Sequence, residues 1–128
     1  MILTTDIGNT NITLGLFDGD EAVCISRLAT QRHRTAEQYA IELNAIFELK
    51  KIDTKAISGA IISSVVPELT RIIKSAISDV TGCDALVVAA GIKNGLKIIT
   101  DNPKELGADL VAGAVGAIAK YPLPCLVM

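Results

Sequence analysis

The chain reads as an α/β protein built on one mixed β-sheet, with three antiparallel strands first and then alternating helices and strands. Three observations predict this. Two β-branched apolar runs, Ile2–Ile7 and residues 12–17, flank the turn formers Gly8, Asn9, Thr10 and Asn11, which is a hairpin pattern. Beyond residue 35, apolar residues recur at helical spacing in three stretches separated by short apolar runs, so each helix implies a crossover between parallel strands. Half of the 128 residues are apolar and 20% are charged, which supplies a core and argues against disorder.

The elements follow in order. After the hairpin, Asp18-Gly19 makes a second tight turn, since glycine reaches positive φ at no steric cost, and residues 21–28 form a third strand. Thr35-Ala-Glu-Gln38 fits a capping box, with Tyr39, Leu43, Ile46 and Phe47 on one helical face behind it. Residues 57–65 are a short apolar strand suited to burial on both faces. Pro67 suits the first position of a helix that packs Leu69, Ile72, Ile73, Ala76, Ile77 and Val80 inward and stops at Gly82. Residues 85–89 form another buried strand. Asn102-Pro-Lys-Glu105 reads as the start of a third helix carrying Leu106, Leu110, Ala114 and Ala117, and residues 124–128 begin a last strand. No linker or repeat divides the sequence, so residues 1–128 form a single domain.

Composition narrows the function. With 12 Lys+Arg against 14 Asp+Glu the net charge is −2, which disfavours a nucleic-acid partner. No apolar run reaches the roughly 18 residues of a membrane span, and the N-terminus lacks a signal-peptide pattern, so a cytoplasmic protein without a membrane partner is expected. Cys24, Cys83 and Cys125 form no CxxC pair, and only His33 is available to complete a zinc site, so buried reduced thiols are expected. His33 receives no role. The basic run Gln31-Arg-His-Arg34 reads as a solvated loop, although it is also suited to an anion.

Two carboxylates remain. Asp6 ends a strand that reads as buried, where a lone carboxylate needs a partner or a metal. Behind it, Gly8 would let a phosphate approach the backbone, and Asn9, Thr10 and Asn11 supply donors; Asp6 would then hold Mg²⁺. An ordinary hairpin uses the same residues. Asp109 lies on a helical face with Glu105, Ala112, Gly113 and Gly116, nearly stripped of side chains, and Gly107 adds a further glycine. Each glycine inside a helix costs about 1 kcal/mol relative to alanine, which suggests close approach by a ligand or by another helix. Beside a cleft, Asp109 would serve as a general base towards a hydroxyl.

These stretches carry a family resemblance. DIGNTN after a first strand resembles the first phosphate motif of the acetate kinase, sugar kinase, actin and heat-shock chaperone superfamily, whose domains are ribonuclease H-like. Arg34-Thr35, SSVVP (63–67), GIKNGL (91–96) and NPKELGAD (102–109) occur in the order seen in type III pantothenate kinases, and the similarity covers essentially the whole chain. It implies ATP-dependent phosphorylation of pantothenate to 4'-phosphopantothenate, the first step of coenzyme A biosynthesis, by a homodimer that uses Mg²⁺ and a monovalent cation (K⁺ or NH₄⁺). Asp6, Ile7, Gly8, Asn9, Thr10, Asn11, Ile12 and Thr13 would bind the ATP phosphates, with Asp6 at the metal. Gly107, Ala108, Asp109 and Leu110 would line the pantothenate site, with Asp109 as the catalytic base. The family usually carries Arg where this chain has Leu110, so a contact to the substrate carboxylate is lost or replaced. In the family the strand at residues 125–128 runs into a second phosphate motif, Asp-x-Gly-Thr-Ala-Thr. That motif opens a second domain carrying the cation ligand and the adenosine pocket, all of it beyond Met128. The chain is thus expected to be the N-terminal domain of a two-domain kinase, inactive alone. The competing reading is a stand-alone ligand-binding or regulatory domain with the same fold and no catalysis.

Overall fold

A computed structural model describes residues 1–89, 95–102 and 105–127. Five strands form one sheet in the order β3-β2-β1-β4-β5. Strands β1 (Ile2–Ile7), β2 (Asn11–Asp18) and β3 (Glu21–Ala29) form an antiparallel meander, and β4 (Gly59–Ser64) and β5 (Leu86–Val87) add in parallel on the other side of β1. This is the expected mixed α/β sheet. Both turns lie where turn-forming residues stand: Ile7 pairs with Ile12 across the first, and Gly19 takes φ +57° between the paired Asp18 and Glu21 in the second.

Helices α1 (Ala36–Leu49) and α2 (Pro67–Thr81) cover one face of the sheet. The capping box of α1 is present: Gln38 N–H donates to Thr35 Oγ1 at 3.3 Å, and Thr35 N–H donates to Gln38 Oε1 at 2.9 Å. Pro67 opens α2, and Gly82 closes it in the left-handed conformation at φ 74°. Under these helices Leu3 and Ile7 of β1, Ile12, Leu14 and Leu16 of β2 and Ile62 of β4 meet Tyr39, Leu43, Phe47, Leu69, Ile73 and Ile77 in one apolar core. The Tyr39 hydroxyl is satisfied inside it, donating to Gln31 O and accepting from Gln31 N–H, both at 2.9 Å.

Several expectations are corrected. Strand β4 is preceded by a single 3-10 turn, Thr54–Ala56, and starts at Gly59 rather than at residue 57. Strand β5 is two residues long, and Leu86 is exposed rather than buried, because only one face of this edge strand is covered. Helix α3 spans Ala108–Lys120, so it begins five residues later than Pro103 would place it. Glu105 therefore lies ahead of the helix instead of on Asp109's face; its backbone N–H and carboxylate both bond back to Asn102 in a local turn. No strand forms over residues 124–127, since the two-residue β5 offers the sheet edge little to pair with. Cys24 and Cys83 are half-buried, whereas Cys125 is exposed, in a segment that packs against little; all three are free. Most of the GIKNGL loop, the Pro103-Lys104 step and Met128 lie outside the described residues. Among the described residues no helix is long and apolar enough to cross a membrane.

Candidate functional site

Strand alternation decides which β1 side chains meet the helices. Leu3, Thr5 and Ile7 point into the core, so Ile2, Thr4 and Asp6 face the opposite side. Asp6 is consequently exposed, not buried: its strand has one covered face, not two. Among the described residues its carboxylate has no hydrogen-bond or ion-pair partner. It stands in register with Thr13 on β2 and Ser63 on β4, so two hydroxyl residues flank it across the sheet.

Helix α3 lies against this second face near β4, anchored by the buried Val111. Between helix and sheet is a cavity of about 410 Å³ whose lining includes Thr4, Thr5, Asp6, Thr13, Gly15 and Ser63 from the sheet and Asp109 and Ala112 from α3. Two carboxylates far apart in sequence thus line one cavity. Gly15 is needed on its floor, because a Cβ there would stand 2.6 Å from Thr4 Oγ1 and 2.8 Å from the Phe17 ring. The Thr4 hydroxyl donates to Gly15 O at 3.1 Å. Ser63 is 9% exposed, and its Oγ has no partner among the described residues. A buried hydroxyl left unpaired costs about 1–3 kcal/mol. Thr5 Oγ1 is also buried and unpaired; Thr5 contributes to the lining of the same cavity, although strand alternation places it on the core side of β1.

Asp109 is the second residue of α3, where an acidic side chain suits the positive end of the helix. Its Oδ1 accepts from Leu110 N–H at 2.9 Å. A Cβ on Gly107 would overlap that same oxygen, so the glycine before the helix makes room for the carboxylate. Gly113 has only Val127 Cγ1 near its missing Cβ, at 3.6 Å, and Gly116 faces open space, so neither is required by packing among the described residues.

Of the phosphate-motif residues, Asp6 and Thr13 line the cavity. Gly8, Asn9, Thr10 and Asn11 form the hairpin end adjoining it, and Ile7 and Ile12 bury their side chains in the core, leaving only backbone to offer. The Gly8 N–H donates to Asn11 O at 3.0 Å, and a Cβ at Gly8 would stand 3.1 Å from that oxygen, so the hairpin itself needs this glycine. The turn is held from outside: Thr30 Oγ1 donates to Gly8 O at 2.7 Å, Thr30 N–H to Thr10 O at 2.9 Å, and Arg32 to Asn9 Oδ1 at 2.9 Å. Arg32 also pairs with Glu68 in the first turn of α2, and Arg34 with Glu42, so both arginines of the basic run are engaged within the chain. Gly107 and Ala108 precede Asp109 outside the cavity lining, and Leu110, 50% exposed, turns away from it. Ser63, the first residue of the SSVVP stretch, lines the cavity although the sequence reading gave it no role in the site. The available signal was its place at the carboxyl end of β4, the strand parallel to β1.

Mg²⁺ is commonly held by one or two carboxylates together with water and substrate phosphates, and the exposed, unpartnered Asp6 between two hydroxyl residues fits that donor set. Among the described residues no group of three acidic, His or Cys side chains forms a self-sufficient metal cage.

The sequence is similar to that of known proteins. The chain is 38% identical over 128 residues to the type III pantothenate kinase of Moorella thermoacetica, covering 100% of this chain and 50% of that protein. It is 43% identical over 121 residues to that of Geobacter sulfurreducens, covering 94% and 48% respectively. The corresponding Exiguobacterium protein is 38% identical over 128 residues, again over 100% of this chain and 50% of the relative. The chain thus spans about half the length of these curated relatives. A partial structural likeness to a ROK hexokinase from Thermus thermophilus has a TM-score of 0.47 at 19% identity, over 70% of this chain and 36% of that one. The family description for type III pantothenate kinase matches residues 2–128, end to end across the sheet, the hairpin motif and α3, and the chain belongs to that family.

Proposed function

We propose that this chain is the phosphate-handling half of a kinase that transfers the γ-phosphoryl group of ATP to the hydroxyl of pantothenate, giving 4'-phosphopantothenate. The observation that carries this reading is the meeting of Asp6 and Asp109 across one cavity. Phosphoryl transfer needs positioning, charge neutralisation and one base, and two separated carboxylates divide the last two tasks.

In this reading the span from Asp6 to Thr13 binds the ATP phosphates, and Gly107, Ala108, Asp109 and Leu110 face pantothenate. Asp6 holds Mg²⁺, which when bound neutralises phosphate charge. Asp109 accepts the proton of the substrate hydroxyl as its oxygen attacks the γ-phosphorus. The new O–P bond forms, the bond to the bridging oxygen breaks, and ADP leaves with that electron pair. Gly107 serves the same step by leaving the space Asp109's carboxylate occupies. The adenosine pocket, a monovalent-cation ligand and a second domain belong to sequence outside this chain, in a cytoplasmic homodimer.

Two measurements test the reading. Mg·ATP raises the Tm of this chain, and Asp6→Asn removes most of that rise. The full-length protein containing the chain phosphorylates pantothenate, and this chain alone does not. Absence of both Mg·ATP stabilisation and phosphoryl transfer would leave a binding or regulatory domain as the better account.

A further inference from the structure

We propose that Ser63 is a further binding residue of the cavity, its hydroxyl donating to an anionic oxygen of the phosphoryl group held between Asp6 and Asp109. The proposal rests on the kinase reading and deepens it. A phosphoryl group in this cavity needs donors, and the described side chains around it offer few. Asp6 and Asp109 are acceptors when ionised. The Thr4 hydroxyl already donates to Gly15 O. That leaves Thr5, Thr13 and Ser63; Thr5 alternates towards the core, whereas Thr13 and Ser63 stand in register on either side of Asp6.

Ser63 differs from Thr13 in being buried with a partnerless Oγ. An alanine would fill the same place in β4 without stranding a hydroxyl, so packing gives no reason for serine. A ligand oxygen at the cavity wall supplies the missing partner, and rotation about the single χ1 of serine carries Oγ between its staggered positions to reach it. Ser63 is also the penultimate residue of β4, near the carboxyl end of a strand parallel to β1, the end of an open α/β sheet where ligands gather.

The test is Ser63→Ala in the full-length protein, read by Tm and by steady-state phosphorylation of pantothenate with Mg·ATP. We expect kcat/KM to fall about 10- to 100-fold, the effect of losing a hydrogen bond to a charged group, while Tm stays level or rises because a stranded hydroxyl is gone. Wild-type kcat/KM in the variant overturns the proposal and leaves the kinase reading intact. A loss of activity accompanied by a lowered Tm also overturns it, since the hydroxyl would then be serving the fold. If the wild-type protein neither binds Mg·ATP nor transfers phosphate, the kinase reading fails and this inference falls with it.

Discussion

The two faces of the sheet are built for different ends. On one, Leu3, Ile7, Ile12, Leu14, Leu16 and Ile62 lie buried beneath α1 and α2, with helix ends fixed by a capping box, an N-terminal proline and a left-handed glycine. On the other, among the described residues α3 covers part of the surface, Ile2, Val23 and Ile25 stay exposed, and Asp6, Thr13, Ser63 and Asp109 meet around a cavity. Burial of apolar area makes the first face the source of stability. The second accepts exposed carboxylates and the stranded Ser63 hydroxyl at a cavity, an arrangement that suits a ligand more than it serves the core. Stability and chemistry are therefore separable by substitution.

The largest expected effect is on the open face. Asp109→Asn lowers phosphorylation of pantothenate by the full-length protein about 10²- to 10⁴-fold, the range for a general base, while its Tm moves little because the side chain is exposed. On the covered face the pattern reverses. Leu69→Ala, at a fully buried position, costs about 2–5 kcal/mol in a denaturant melt and leaves Mg·ATP affinity unchanged wherever the variant is folded. Gly107→Ala sharpens the contrast, since a Cβ must displace the Asp109 carboxylate; activity falls, and thermal melting shifts by less than for Leu69→Ala. Thr35→Ala costs about 1 kcal/mol through the lost cap of α1. The Glu37 backbone N–H and the Thr35 hydroxyl hold the Glu37 carboxyl below its ordinary range. A depressed carboxyl stabilises the fold above its unfolded pKa and loses that contribution as pH falls through the folded value, and an NMR titration of Thr35→Ala shows Glu37 moving back up. The smallest effect belongs to Arg32→Ala, whose half-exposed pair with Glu68 contributes at most about 1 kcal/mol.

What was legible in the sequence was local. The hairpin, the Gly19 turn, the capping box, Pro67 and Gly82 each act within a few residues, and their chemistry reads off directly. The start of α3 did not, because Asn102-Pro103 imitates a helix start while the true one, after Gly107, has no side-chain cap to mark it. The exposure of Asp6 required knowing that the sheet has one covered face, which no stretch of β1 reveals. The strand expected at residues 124–128 depends on a distant partner, and Ser63 became a cavity residue only once β4 was placed parallel to β1. Both carboxylates were found from the sequence; their spacing alone did not bring them together, and only the family resemblance implied a shared site, since their meeting depends on how α3 packs.

The most direct measurement of the central claim is transfer of the γ-phosphate of ATP to pantothenate by the full-length protein, with Mg·ATP binding followed in parallel, for wild type and Asp109→Asn. If Asp6 and Asp109 serve one site, the wild type transfers phosphate, while the variant loses transfer about 10²- to 10⁴-fold and still binds Mg·ATP. Full activity in the variant, or no transfer by the wild type, would contradict it.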